Sequence, residues 1–314
     1  MSVVFAIFQT LLFVALAPLL AGWLKMCKCR LQNRRAPSLL QPYQDLIKLV
    51  HKQPVISQHA SWLFTKYPYI IFSATVLAAS VVPFIAVDLV TSAGADMIVM
   101  VGFFAFARFF LALAGLDVGT AFGGMGASRE MTVSSLAEPA MLMAVFTLAM
   151  AASTTNLSVA IAHVLDQGLV LRPSFVFALL SLLLVAIAET GRVPVDNPVT
   201  HLELTMIHEA MILEYSGRHL ALLEWASQLK LMIYGVLLAN IFFPWGIAEN
   251  FSLSALGYGL LAIMGKLAVL AIVLAISETL VAKMRLFRVP EFLSFAYLLG
   301  LLGMISHIIL ESAR

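Results

Sequence analysis

Strongly apolar runs recur along the whole chain, separated by shorter polar stretches. A helix needs roughly 20 mostly apolar residues to cross about 30 Å of hydrocarbon. The runs are continuous rather than alternating, which argues against transmembrane β-strands. The pattern therefore predicts eight transmembrane helices, near residues 3–24, 67–87, 97–116, 131–152, 173–188, 231–248, 256–281 and 292–310.

Composition supports the same fold class. Of 314 residues, 61% are hydrophobic and only 11% charged, and the mean hydropathy is +0.98. The first run has no basic region before it and no small-residue cleavage pattern after it, so we interpret it as a retained span. No stretch resembles a soluble second domain. The prediction is an all-α integral membrane protein, with residues 1–314 forming a single polytopic domain.

The distribution of Lys and Arg predicts the orientation. Fifteen of the nineteen basic residues lie in the loops after spans one, three, five and seven, and only two lie in the opposite loops or at the end of the chain. Loops rich in Lys and Arg face the cytosol. Both termini are therefore expected on the periplasmic side, with cytosolic loops at about 25–66, 117–130, 189–230 and 282–291. The net charge of +2 and the absence of a nucleic-acid motif argue against a polynucleotide partner.

Five ionisable residues lie inside or at the end of predicted spans, where a charge costs roughly 3 kcal/mol. They are Arg108, Glu138, Glu189, Lys266 and Glu278. Glu138 lies about 12 Å beyond Glu130 along a helix, and Pro139 after it should leave the carbonyl of Ser135 without its helical partner. The acids lie in the cytosolic half, as a proton path would require. A structural ion pair between Glu138 and either Arg108 or Lys266 is the alternative.

The stretch from residue 188 to 218 concentrates five carboxylates, among them Glu203, Glu209 and Glu214. If residues 199–213 form a helix, Glu203 and Glu214 share a face but lie about 16 Å apart, whereas a paired acid and base need about 5–9.5 Å. His201 and His208 precede Glu209 as HxxxxxxHE, which is not the HExxH zinc motif. We expect neither a catalytic pair nor a metal site here, and the roles of His201, His208 and Glu209 stay open.

Two other features are expected to bind nothing. Cys27 and Cys29 are only two thiols, whereas zinc and iron–sulfur sites usually need four ligands. The sequence GGMGASRE at 123–130 lacks the Lys-Ser/Thr ending of a phosphate-binding loop. We interpret it as a tight cytosolic turn that lets Arg129 and Glu130 approach a neighbour.

Three sequence motifs occur in the same order as in a known protein family. They are RRAP at 34–37 with Leu40-Gln41, Asp45 and Lys48-Leu49; GASRE at 126–130 with Glu138; and AETGR at 188–192 with PVD at 194–196, Glu203-Leu204 and EYSG at 214–217. These motifs resemble subunit 1 of respiratory complex I, the NADH-quinone oxidoreductase, over the whole chain. Within that family, residues 105–130 look most like the corresponding subunit of membrane-bound nickel–iron hydrogenases of the formate hydrogenlyase and hydrogenase-4 type.

The resemblance implies a multi-pass subunit of the bacterial inner membrane that holds no cofactor itself. The nickel–iron centre and iron–sulfur clusters would lie in partner subunits. The chain would anchor the hydrogenase large and small subunits and contact antiporter-like membrane subunits. We assign two groups of residues: a proton relay of Arg108, Glu138, Glu189, Glu203, Glu214, Lys266 and Glu278, and docking contacts at Arg34, Arg35, Asp45, Lys48, Arg129, Glu130, Arg192 and Asp196.

The leading hypothesis is a subunit that couples electron transfer in the docked arm to proton movement. A quinone-chamber subunit of an NADH-quinone-type dehydrogenase is the main alternative, so quinone binding stays open. An inert structural anchor with buried ion pairs is another. A secondary transporter is a fourth, although the two halves show no internal repeat. Whether the ion is H⁺ or Na⁺ and what donates the electrons also stay open.

Overall fold

The computed structural model describes residues 2–86, 96–167, 172–196, 206–248 and 252–311. Most of these residues are helical, and β-type pairing in this part of the chain is limited to two isolated bridges. The helices are α1 Ser2–Leu31, α2 Gln41–His51, α3 Tyr67–Val81, α4 Met97–Asp117, α5 Ala121–Ala152, α6 Leu157–Gln167, α7 Pro173–Glu189, α8 His208–Ile212, α9 Gly217–Phe242, α10 Leu253–Leu280 and α11 Val289–Ser306.

The predicted membrane fold is confirmed. Six helices are long and apolar enough to span a membrane, and they are α1, α4, α5, α9, α10 and α11, the last together with its flanking turns. The shorter apolar helices α3 and α7 take the other two predicted positions. Several helices extend beyond the predicted spans: α1 continues to Leu31, and α9 begins at Gly217 rather than near Leu231. An apolar run in the sequence indicates only the part of a helix that lies in an apolar environment. The backbone hydrogen bonds of the helix can continue into the polar residues on either side of it.

The loops that lie together at each end of the helix bundle are those predicted to lie on the same side of the membrane. The bridges Ala86↔Ala248 and Asp96↔Asn156 join loops that were assigned to one side. At the other end, the N–H of Met284 donates to the carbonyl of Pro194 at 2.9 Å, joining two loops predicted to be cytosolic. The charge bias assigns this second end to the cytosol.

Helix packing places α9 at the centre of the molecule. Every residue of α9 from Leu231 to Phe242 is buried, and the helix contacts α1, α2, α3, α7 and α10. On one side α3 packs on α4, and on the other α5, α7 and α11 pack together. The largest buried apolar cluster of the described residues runs through this core and includes Phe13, Phe104 and Tyr234. A helix that is apolar on all sides is expected at such a position.

The predicted tight turn at 123–130 is wrong, because these residues form the first turns of α5. The turn lies just before them, where Gly119 has φ +69°. The hydroxyl of Thr120 then accepts a hydrogen bond from the N–H of Gly123 and caps α5. The glycines serve close packing instead: a Cβ at Gly126 would lie 2.9 Å from Cβ of Ala210 in α8.

Of the helix considered at 199–213, the structure describes only residues 206–213. Residues 197–205 lie outside the described residues, and α8 spans only His208–Ile212. The Asp196 carboxylate accepts hydrogen bonds from the N–H groups of Ile207 and His208, at 3.2 and 3.3 Å. This cap satisfies the first free N–H groups and fixes where α8 begins.

Two adjacent glycines test the packing of α4 on α5. A Cβ at Gly123 would lie 2.2 Å from the carbonyl oxygen of Gly115, whereas a Cβ at Gly124 would meet nothing within 4 Å. We expect Gly123→Ala to destabilise the protein by about 2 kcal/mol through overpacking. Gly124→Ala should leave stability unchanged or raise it slightly, because Ala favours a helix over Gly. The measurement is the midpoint of heat-induced loss of native protein in detergent, and equal midpoints for the two variants would contradict the packing.

Candidate functional site

Arg108 in α4 carries a charge into the interior of the bundle, with only 4% of its side chain exposed. Its Nη1 donates to Oε1 of Glu138 at 3.0 Å, and its Nη2 donates to Oε2 of Glu189. Its Nε lies 3.6 Å from Oε1 of Glu130, which makes an ion pair without a hydrogen bond. Three carboxylates from α5 and α7 therefore meet one guanidinium.

A second cation completes this site. Lys230 in α9 places its Nζ 2.8 Å from Oε2 of Glu189 and 6.0 Å from the ring centre of Phe104. The ring of Phe104 in turn stacks on Tyr234, with centroids 5.1 Å apart. We call Arg108, Glu130, Glu138, Glu189 and Lys230 the Arg108 cluster.

The charges of the Arg108 cluster do not balance. Three carboxylates face two cations, so full ionisation leaves one net negative charge in a partly desolvated place. Glu189 is the carboxylate that contacts both cations. Glu138 accepts a hydrogen bond from Arg108, whereas Glu130 makes only an ion pair with it. The Arg108 cluster therefore contains one more carboxylate than cations.

Glu138 differs from the other acids of the Arg108 cluster in its exposure. Its side chain is 35% exposed, against 13% for Glu130 and 3% for Glu189. The same Oε1 that contacts Arg108 also accepts a hydrogen bond from the hydroxyl of Ser134 at 2.9 Å. Glu138 thus joins the buried guanidinium to the outer surface of the bundle within a membrane-spanning helix. The helix continues through Pro139.

A small cavity adjoins the Arg108 cluster. It has a volume of about 50 Å³ and is lined by Arg108, Glu130, Glu189, Lys230 and His208 among others. At roughly 15 Å³ for each water molecule, it has room for about three. A smaller cavity next to it shares Glu130, Glu189 and His208. The carboxylates at this end of the Arg108 cluster therefore face hydratable space.

A second ion cluster surrounds Glu278 of α10, whose side chain is 1% exposed. Its Oε2 accepts from Lys28 at 2.8 Å, and its Oε1 accepts from Arg192 at 3.3 Å. We call Lys28, Arg192 and Glu278 the Glu278 cluster. The carboxylate of Glu278 is thus compensated within the chain, and within the described residues no ion pair joins it to the Arg108 cluster.

The segment AETGR–PVD is shaped to connect these groups. Gly191 has φ +59° and ends α7, because a left-handed residue cannot continue the helix. Glu189 before it reaches the Arg108 cluster, and Arg192 after it reaches the Glu278 cluster. Asp196 is 3% exposed and lies 3.4 Å from Nζ of Lys283. This motif therefore organises the chain's own cytosolic connector.

The EYSG motif fixes the start of α9 to the first cytosolic loop. The Tyr215 ring stacks on Phe64 with centroids 4.1 Å apart, and its hydroxyl donates to the Phe64 carbonyl at 3.1 Å. Burial, with a smaller contribution from nearby Asp117, raises the pKa of Tyr215, so its phenol stays neutral. A Cβ at Gly217, where φ is +56°, would lie 2.5 Å from the carbonyl oxygen of Lys52. The motif is explained by packing rather than by chemistry.

The structure separates the predicted docking residues. Arg34, Arg35 and Lys48 are exposed on and before α2, and Asp45 accepts from Gln41 within that helix at 2.9 Å. The guanidinium of Arg129 donates to the carbonyl of Met206 at 3.0 Å.

Three other residues assigned to docking lie inside the chain's own ion network. Glu130 belongs to the Arg108 cluster, Arg192 to the Glu278 cluster, and Asp196 is buried under its hydrogen bonds to α8. In this chain the Glu130 side chain and Asp196 are 13% and 3% exposed, and the docking role of the three residues stays a prediction.

The predicted relay residues are only partly brought together. Arg108, Glu138 and Glu189 meet in the Arg108 cluster. Lys266 lies on α10, away from this cluster. Glu214 is exposed and has no ion pair among the described residues. Glu203 and His201 lie outside the described residues. Sequence reasoning missed Lys230, because it stands just before an apolar run and was assigned to a loop. Among residues that the structure describes, no group of three His, Cys, Asp or Glu side chains could hold a metal ion.

Comparisons with known proteins agree with this architecture. A family model described as NADH dehydrogenase matches residues 3–309. Formate hydrogenlyase subunit 4 of Escherichia coli (strain K12) is 34% identical over 93% of this chain and 94% of its own length. Hydrogenase-4 component C of the same organism is 32% identical over 90% and 89%. A chain in the structure of the membrane-bound sulfane sulfur reductase, an archaeal respiratory membrane complex, shares the fold with a TM-score of 0.80 at 18% identity, covering 96% of this chain and 98% of that one.

The Arg108 cluster makes a prediction about stability. Arg108→Met leaves the three carboxylates facing Lys230 alone, and removing one partner of a buried ion pair, here the one with Glu189, costs about 3–5 kcal/mol. We expect a large loss of folded protein in membranes, measured against Arg34→Met as an exposed control. In a Glu138→Gln background the same change should cost less, because one uncompensated charge is already gone. Equal costs in the two backgrounds would show that the two side chains are not coupled.

Proposed function

The chain belongs to the NADH dehydrogenase family of complex I-like inner-membrane subunits, and on that premise we propose that it serves a membrane-bound hydrogenase of the formate hydrogenlyase or hydrogenase-4 type. In that role it anchors the hydrogenase large and small subunits at its cytosolic end and contacts antiporter-like subunits within the membrane. The full-length similarity to formate hydrogenlyase subunit 4 and hydrogenase-4 component C supports this choice within the family.

The observation that carries a coupling role is the unbalanced charge of the Arg108 cluster. Three acids share two cations, so one acid can gain a proton while each cation keeps an ionised carboxylate partner. An inert structural cluster needs no such excess, because a buried ion pair is stable only when its charges are compensated.

The positions of the acids suggest a direction for the proton. Glu130 adjoins the cavities at the cytosolic end, whereas Glu138 reaches the outer surface of α5. Both carboxylates contact the guanidinium of Arg108. When one of them is protonated, the ion pair between Arg108 and the other carboxylate becomes stronger. A charge change in the docked arm that protonates Glu130 would thereby release the proton held by Glu138 toward a neighbouring membrane subunit.

The proposed division of labour leaves the redox chemistry to partner subunits. The nickel–iron centre and the iron–sulfur clusters are assigned to the hydrogenase subunits, and this chain supplies anchorage and charge. Exposed Arg34, Arg35 and Lys48 offer a cationic surface on the first cytosolic loop for docking. The Glu278 cluster and Asp196 then hold the connector that follows α7.

One observation supports a second candidate function. The matching family model is described as NADH dehydrogenase, which favours a quinone-chamber subunit of a dehydrogenase. The partner large subunit distinguishes the two: a nickel–iron centre needs four thiolates, so two CxxC pairs in that subunit support the hydrogenase. A large subunit without them, in a complex that reduces quinone, would support the dehydrogenase.

Glu138→Gln tests the coupling role. Gln keeps the size of the side chain and can still accept from Arg108 and Ser134, but it cannot bind a proton. We expect hydrogenase activity with an artificial electron donor to stay within about twofold of wild type, while proton movement into sealed vesicles falls by at least tenfold. Both are measured on the complete complex.

Glu291→Gln is the matched control, because Glu291 is an exposed acid at the start of α11. It should change neither activity nor proton movement. Wild-type proton movement in Glu138→Gln would remove Glu138 from the mechanism and favour an inert ion cluster.

A further inference from the structure

Lys266 lies at the middle of α10, thirteen residues after Leu253 and fourteen before Leu280. At 1.5 Å per residue, it is about 20 Å from either end of the helix. The four-carbon stem of a lysine is much shorter than that distance, so its ammonium group cannot reach the lipid headgroups from this depth.

The surroundings of Lys266 on α10 are apolar. It is the only charged residue between Leu253 and Ser277, and its side chain is partly exposed. Exposed apolar side chains lie on the same face of α10, including Val269 at 62% and Val273 at 57%, both within about 60° of Lys266 around the helix. Among the helices of this chain, α10 packs mainly on α1 and α9, which leaves this face uncovered.

The acids of the described residues do not compensate Lys266. No carboxylate there comes within ion-pair distance of its Nζ, and the acids of both ion clusters are paired with other cations. Glu278 on the same helix is twelve residues away, about 18 Å along the axis. An ammonium at mid-membrane depth needs an acidic partner or a hydrated cavity.

We propose that the exposed face of α10 around Lys266 is an interface with another membrane subunit, whose intramembrane Asp or Glu pairs with Lys266. The proposal rests on the chain being part of a multisubunit complex, but not on the Arg108 cluster moving protons. Lipid chains offer no acceptor at this depth, so a carboxylate on a neighbouring helix is the chemistry that fits both the charge and the apolar rim.

The first test is a zero-length cross-link in the purified complex. A hydrophobic carbodiimide adds to a membrane-buried carboxyl group and forms an O-acylisourea. Nζ of Lys266 attacks its carbonyl carbon, an amide bond forms as the acyl C–O bond breaks, and the carbodiimide leaves as its urea with the released protons. Mass spectrometry should find Lys266 joined to an Asp or Glu in a predicted span of a different subunit. A link to this chain or a second copy of it, or no link at Lys266, would overturn the proposal.

The second test compares variants at the same position. Lys266→Met should lower the fraction of this subunit found in the complete complex by at least fivefold, because it leaves the partner's acid unpaired. Lys266→Arg keeps the charge and should assemble within twofold of wild type, while losing the cross-link because a guanidinium does not form it. Leu261→Met is the control, because Leu261 is also exposed on α10 but lies about 140° around the helix from Lys266, and this variant should assemble normally.

Assembly separates this proposal from the coupling role. Glu138→Gln should leave assembly intact even if it abolishes proton movement, whereas Lys266→Met should reduce assembly whatever the Arg108 cluster does. Wild-type assembly of Lys266→Met would overturn the interface and leave the coupling role untouched.

Discussion

The buried guanidinium of Arg108 is the interaction on which the rest of the structure depends. A charge inside a membrane protein is tolerated only where other groups compensate it, and here α5 and α7 supply the acids while α9 supplies a second cation through Lys230. The helices α4, α5, α7 and α9 must therefore keep their relative positions. The close approach of α4 and α5 at Gly115 and Gly123 is part of the same requirement, because any side chain at Gly123 would separate them.

The connector after α7 ties this interior site to the cytosolic surface. Within eight residues it places Glu189 in the Arg108 cluster, Arg192 in the Glu278 cluster, and Asp196 under the start of α8. The positive φ of Gly191 turns the backbone between Glu189 and Arg192, so their side chains reach different clusters. A force or charge applied to this connector by a docked partner would reach both ion clusters through a short segment. In the described residues, the segment from Glu189 to Asp196 therefore joins the two ion clusters to the start of α8.

The sequence predicted those features that depend on local chemistry. Eight apolar runs indicated eight helices, and the ionisable residues inside them indicated Arg108, Glu138 and Glu189 as a site. The alternative of an Arg108–Glu138 pair was also found. Features that depend on tertiary contact were missed or misinterpreted. Lys230 belongs to the cluster because α9 begins well before its apolar run. The glycines of GGMGASRE suggested a turn, but the close packing of α8 on Gly126 accounts for one of them.

A coupling role requires that the Arg108 cluster hold one exchangeable proton that responds to electron transfer. Infrared difference spectroscopy of the intact complex, recorded between the oxidised and reduced states, observes protonated carboxyl groups directly. We expect a carboxylic acid band that changes on reduction, that is lost in Glu138→Gln, and that persists in Glu291→Gln. A reduction-induced spectrum with no carboxyl band that depends on Glu138 or Glu130 would contradict this role.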